Sequence, residues 1–149
     1  MKAVAIYKPK YWGNIYSILR TADGLGFDRV YVIDRIAPIM KKGIQKMEAA
    51  KAPWNKLKFL KNLDEFLAET HKMSKVCMEL DEKAVPIGQY CWNEDSVIIL
   101  GNENTGLPRE ILDVSDVVEL PMKGKTACMN VACAGSIAMY DYTTKTNSD

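Results

Sequence analysis

A chain of 149 residues with 48% hydrophobic and 26% charged residues is that of one ordinary globular domain, able to bury about 70% of its unfolded surface. Its net charge of +1 excludes a uniformly basic nucleic-acid binder, and no apolar run approaches the roughly 20 residues that cross a bilayer. Four cysteines without a Cys-x-x-Cys pair, and one histidine, give no metal constellation and point to reduced thiols.

The opening Met1 to Lys8 turns polar too soon for a signal peptide and reads as a strand, Val4 to Tyr7, so a cytoplasmic protein is expected. A loop from Pro9 to Gly13 carries two large rings, Tyr11 and Trp12. Asn14 is placed to cap the next helix, with Ile15, Ile18, Leu19, Ala22 and Leu25 on its buried face. Tyr16, Arg20 and Asp23 lie on another face, and Gly24 and Gly26 end the helix. Arg29 to Asp34 is a second strand. The alternation of strand and helix argues a parallel sheet. Lys42 to Ala50 reads as a helix, Leu57 to Leu60 as a short edge strand, and Leu63 to Thr70 as a helix capped by Asn62. Seven lysines fall between Lys41 and Lys61 with Glu48 the only acid, a patch able to hold phosphates. Lys75 to Leu80 is a further strand, and Asp81-Glu82-Lys83 a polar turn.

The stretch from Ser96 to Tyr142 organises the rest. Val97 to Leu100 has the β-branched look of a fully buried strand. It runs into Gly101-Asn102-Glu103-Asn104-Thr105-Gly106-Leu107-Pro108, a loop with exposed backbone N–H groups. Pro108 suits the start of a short helix over Arg109 to Leu112. Val117 to Leu120 is another strand, closed by Pro121. Cys128-Met129-Asn130-Val131 opens a helix of small residues through Tyr140, and the polar tail beyond Tyr142 is expected to fray. Parallel sheets bind ligands at the carboxyl ends of their strands, so the loops after Leu100 and Leu120 and the helix start at Met129-Asn130 define one pocket. No Gly-x-Gly-x-x-Gly follows a strand and no Gly-x-x-x-x-Gly-Lys-Ser/Thr loop exists, which disfavours dinucleotide and P-loop sites.

Asn14 to Ala22, Leu100 to Pro108, Leu120-Pro121-Met122 and Met129-Asn130-Val131 together resemble the motifs of the SpoU (TrmH) RNA ribose 2′-O-methyltransferases, within the SPOUT class. The resemblance implies an α/β fold with a mostly parallel sheet and a C-terminal trefoil knot, in one domain spanning 1–149, working as an antiparallel homodimer. It implies S-adenosyl-L-methionine as methyl donor, S-adenosylhomocysteine as product, and RNA as substrate, tRNA or rRNA. By the same resemblance, Gly101, Leu120, Cys128 and Met129 are donor-binding positions, joined by Met78 at the end of another strand; as apolar side chains at these loops, Leu100, Leu120, Met122 and Met129 are expected to wall the pocket. Arg20 matches the arginine often assigned the ribose proton. A guanidinium is a donor rather than a base, so its physical role is better put as stabilising the developing alkoxide. Asn14, Glu103 and Asn130 are the supporting polar groups.

Two departures stand out. Many members carry Ser-Leu-Asn-Val-Ser where this chain has Cys128-Met129-Asn130-Val131-Ala132, and many have glycine at Tyr16. The loss of both serines leaves a second reading open, a donor- and RNA-binding protein with little turnover. A third is a SPOUT enzyme that methylates a base.

Overall fold

The computed structural model describes residues 1–45 and 53–147. Chain order is β1 (Ala3–Tyr7), α1 (Trp12–Gly24), β2 (Arg29–Ile33), α2 (Ala37–Gln45), β3 (Leu57–Leu60), α3 (Leu63–Glu69), β4 (Ser74–Met78), β5 (Val85–Pro86), β6 (Ser96–Leu100), α4 (Arg109–Leu112), β7 (Asp116–Glu119) and α5 (Val131–Thr146). The seven strands form one sheet in the order β3-β2-β1-β6-β4-β7-β5, and every pairing is parallel. All the strands therefore point their carboxyl ends to one edge, where the long loops gather.

The near-continuous apolar runs follow from burial on both faces. Side chains alternate along each strand. Val4, Ile6, Val30, Val32, Ile98 and Leu100 face α1 and α5. Ala3, Ala5, Tyr31, Ile33, Val97 and Ile99 face α3 and α4. All five residues of β6 are buried, because it is the central strand between β1 and β4. Gly135 lets α5 close onto this strand: a Cβ there would stand 2.7 Å from Leu100 Cδ1.

Three expectations change. Asn14 does not cap α1. The helix begins at Trp12, with Tyr11 at the capping position and the Asn14 N–H already bonded to the Tyr11 carbonyl at 3.2 Å. The Asn14 side chain is thereby free for other partners. The second helix starts earlier than expected, at Ala37, and its expected end at Ala50 lies outside the described residues. The last helix runs past its expected end at Tyr140, to Thr146. Tyr142 Oη donates to the Glu94 carbonyl at 2.5 Å, and Lys145 Nζ donates to the carbonyls of Ile87 (2.7 Å) and Tyr90 (3.2 Å). Long-range anchors thus hold a segment whose composition alone looks disposable. Asn62 does cap α3, accepting from Glu65 N–H at 2.9 Å.

Cys77 in β4 is fully buried, and that burial pushes its thiol up to about 11, against smaller opposing effects of Ser115 and Lys83. The fold thus favours the neutral thiol, and the unfolded chain ionises first as pH rises. Stability measured by urea denaturation is expected to hold below about pH 9, then to fall by about 2 to 3 kcal/mol up to about pH 11. Cys77→Ala should lack the part of that decline between about pH 9 and pH 10, above which the raised Tyr31, Tyr90 and Tyr142 lower stability in the same direction.

Candidate active site at the carboxyl edge

A cleft of about 660 Å³ opens at the carboxyl ends of β4, β6 and β7. Its walls come from three loops. The first follows β6 and includes Gly101 to Leu107. The second follows β7, with Leu120 and Met122. The third precedes α5, with Ala127, Cys128 and Met129. Met78 and Leu100, at the ends of adjacent paired strands, supply apolar floor. All seven residues expected to hold a donor, Met78, Leu100, Gly101, Leu120, Met122, Cys128 and Met129, line this one cleft.

The loop after β6 folds back on itself. Gly106 N–H donates to the Asn102 carbonyl at 2.8 Å, and Asn102 Oδ1 accepts from Asn104 N–H at 2.8 Å. Gly106 sits at φ +66°, a conformation that glycine adopts without strain. At Gly101 a Cβ would lie 2.9 Å from the Gly106 carbonyl carbon and 3.1 Å from the Leu107 nitrogen, so the loop closes only over a glycine.

Beside the cleft, side chains from distant segments form a directional chain. Asn130 caps α5, its Oδ1 accepting from Ala132 N–H (2.8 Å) and Cys133 N–H (3.2 Å). Asn130 Nδ2 donates to Asn14 Oδ1 at 3.2 Å, and Asn14 Nδ2 donates to Glu103 Oε1 at 2.9 Å. Each amide points its carbonyl toward α5 and its NH₂ toward the carboxylate, so the dipoles reinforce one another. Asn14, Glu103 and Asn130 are thus brought together from positions 14, 103 and 130.

Arg20 is not brought to them. It is exposed, does not line the cleft, and its guanidinium carbon lies 5.7 Å from the Tyr16 ring centroid. Six residues past Asn14, it is about 9 Å further along α1 and roughly 120° around it. Asp23, three residues further along the same helix, bonds Lys56 Nζ at 2.8 Å rather than Arg20. That bond also weakens the expected lysine patch. Lys56 donates to the Phe27 carbonyl as well, Lys58 pairs with Glu69, and Lys46 and Lys51 lie outside the described residues.

Several residues of the cleft escape sequence reasoning. Glu79 accepts from Leu107 N–H at 3.0 Å. Arg109 reaches Asp81 at 2.7 Å and Asp113 at 3.0 Å, and its guanidinium holds the Asp81 carboxyl below the usual carboxylate range. For Glu79 and Asp81 the signal in the sequence is position, one and three residues past the end of β4. No group of acids, histidines and cysteines able to hold a metal occurs among the described residues.

A parallel α/β domain with a backbone-lined cleft at its carboxyl edge defines the general class. The model of the SpoU rRNA Methylase family matches residues 1–140, and the chain belongs to that family. It is 33% identical over 134 residues to the 23S rRNA (guanosine-2'-O-)-methyltransferase RlmB of Acinetobacter baylyi, covering 86% of this chain and 53% of that protein. It is 24% identical to the tRNA (guanosine(18)-2'-O)-methyltransferase of Escherichia coli, covering 91% of this chain and 58% of the relative. The chain thus spans little more than half the length of these two relatives.

Among solved structures, one concerned with 2-OH methylation of C/U34 on tRNA superposes with a TM-score of 0.79 at 21% identity, covering 100% of this chain and 98% of the other. The SpoU methyltransferase AviRb from Streptomyces viridochromogenes, in complex with the cofactor AdoMet, gives 0.77 at 21% identity, covering 98% and 58%. At that identity these likenesses establish the fold.

Proposed function

We propose that the chain transfers a methyl group from S-adenosyl-L-methionine to a ribose 2′-hydroxyl of RNA, in tRNA or rRNA. The observation that carries this reading is the single cleft formed by all seven expected donor residues, with the Glu103–Asn14–Asn130 chain beside it. The donor would supply an electrophilic methyl on a sulfonium. The cleft fits such a molecule. It pairs apolar walls at Leu100, Leu120 and Met129 with approachable backbone at Gly101, as an adenine and a thioether require. Asn14 and Asn130 orient the sugar, and Arg20 stabilises the oxygen as it becomes anionic.

Because Arg20 stands off the cleft of its own protomer, the reading includes a homodimer in which Arg20 serves the partner's cleft. Exposed Ile137 and Tyr140 share one face of α5, beside α1, and give such a pairing its apolar contact. A particle of twice 16.8 kDa is expected by light scattering. The trefoil knot belongs to the same reading. It is supported by α5 packing back on α1 and β6 although β7 lies outside β4. RNA phosphates would meet the exposed cations of the same edge, Lys8, Lys10, Arg35 and Lys61, which form no ion pair among the described residues. Tyr11 and Trp12 offer rings to unstacked bases.

The test is transfer of labelled methyl to bulk tRNA and rRNA, followed by digestion to nucleosides. Label in 2′-O-methylnucleosides is the expected result. Label in a methylated base would point to the related base chemistry. Donor binding without transfer would point to a binding protein, the outcome that Cys128 and Ala132 in place of serines keep open.

A further inference from the structure

We propose that Glu79 is a positioning residue, latching the Gly101–Leu107 loop in the shape that lines the donor cleft; the inference rests on the donor-site reading above. β4 ends at Met78, and the next residue is fixed by its own backbone, Glu79 N–H donating to the Val118 carbonyl at 3.1 Å. From there the carboxylate spans to the neighbouring loop. Its Oε2 accepts from Leu107 N–H at 3.0 Å, and its Oε1 accepts from Leu80 N–H at 3.1 Å. The loop's internal bonds fold it on itself but do not tie it to the sheet. Two side-chain bonds do so: Asn102 Nδ2 to the Lys8 carbonyl at 2.6 Å on the β1 side, and Glu79 on the β4 side.

Gly106 shows how closely the carboxylate sits. A Cβ there would stand 2.5 Å from Glu79 Oε2, so the carboxylate fills the space a side chain would need. The nearby Arg109–Asp81 pair runs parallel to this tie, but Arg109 is 60% exposed and solvent screens the pair. The Glu79 bond is part-buried and charge-assisted, which makes it the stronger of the two.

The experiment compares Glu79→Ala and Glu79→Gln by titration with S-adenosylhomocysteine and by amide exchange at Leu107 in the ligand-free protein. Glu79→Ala is expected to weaken S-adenosylhomocysteine binding by about tenfold and to speed Leu107 exchange by a similar factor. Turnover is expected to fall as well, since the same loop carries Glu103, which holds Asn14. In Glu79→Gln the one side-chain carbonyl still accepts from Leu107 while the exposed Leu80 N–H turns to water, and both readings should stay within about threefold of wild type.

Unchanged exchange and affinity in Glu79→Ala would overturn the latch. So would a Gln variant as impaired as Ala, which would make the charge itself the functional quantity. If the Ala variant does not fold, Glu79→Asp, one methylene short of Leu107, gives the same two readings. Exchange at Leu107 needs neither RNA nor turnover. A wild type that bound S-adenosylhomocysteine but transferred no methyl would therefore sink the proposed reaction and leave the latch to be decided by these two measurements.

Discussion

Arg20→Ala is expected to lower methyl transfer to RNA by about 100- to 1000-fold, the range seen when a group stabilising a developing oxyanion is removed. S-adenosylhomocysteine affinity should stay within about twofold, because Arg20 lines no part of the donor cleft. Folding stability should move by no more than about 0.5 kcal/mol, as for an exposed side chain set against the Tyr16 ring. Single-turnover methylation, calorimetric titration and urea denaturation read the three quantities separately. A loss of activity matched by a loss of donor affinity would place Arg20 in a different role from the one proposed.

The second large effect is expected at Gly101. In Gly101→Ala the new Cβ meets backbone on the far side of the loop, at 2.9 Å and 3.1 Å, where no flexible side chain can yield. The loop must shift, at a stability cost of about 1 to 3 kcal/mol, and donor affinity should fall by about 10- to 100-fold. Gly88→Ala is the matched control, since a Cβ there meets nothing within 4 Å. Titration with S-adenosylhomocysteine decides it: an Ala variant that binds as wild type would mean that the loop relaxes freely.

The two variants also test whether Arg20 works across the proposed dimer. Mixed after denaturation, the two impaired proteins form heterodimers in which one site combines intact Arg20 of one subunit with intact Gly101 of the other. Statistical pairing then restores roughly a quarter of the wild-type activity. If Arg20 served its own protomer, every site would carry one defect and mixing would restore nothing.

How far the sequence speaks differs between fold and site. The β-branched runs at Val4 to Tyr7, Arg29 to Ile33 and Val97 to Leu100 mark their strands because burial on both faces leaves no room for polar alternation. β5 is two residues long and has no such pattern to show. The beginning of α1 is misplaced because Asn14 has the composition of a cap, while its side chain is taken by Glu103, 89 residues away. The end of α5 is hidden for the same kind of reason, its anchors at Ile87, Tyr90 and Glu94 being distant in sequence. In the cleft, residues that face it through loop backbone are signalled by glycine and proline. Glu79, whose role depends on reaching a particular amide of another loop, carries no local mark.

Asn130 is at once the plug of a helix and the hub of the site. Its carbonyl oxygen holds the first turn of α5 while its NH₂ holds Asn14. Unwinding of that single turn would uncouple Asn14 and Glu103 from the last helix with the sheet left in place. The proposed methyl transfer is therefore expected to be lost on warming, reversibly, at temperatures where circular dichroism still reports an intact sheet.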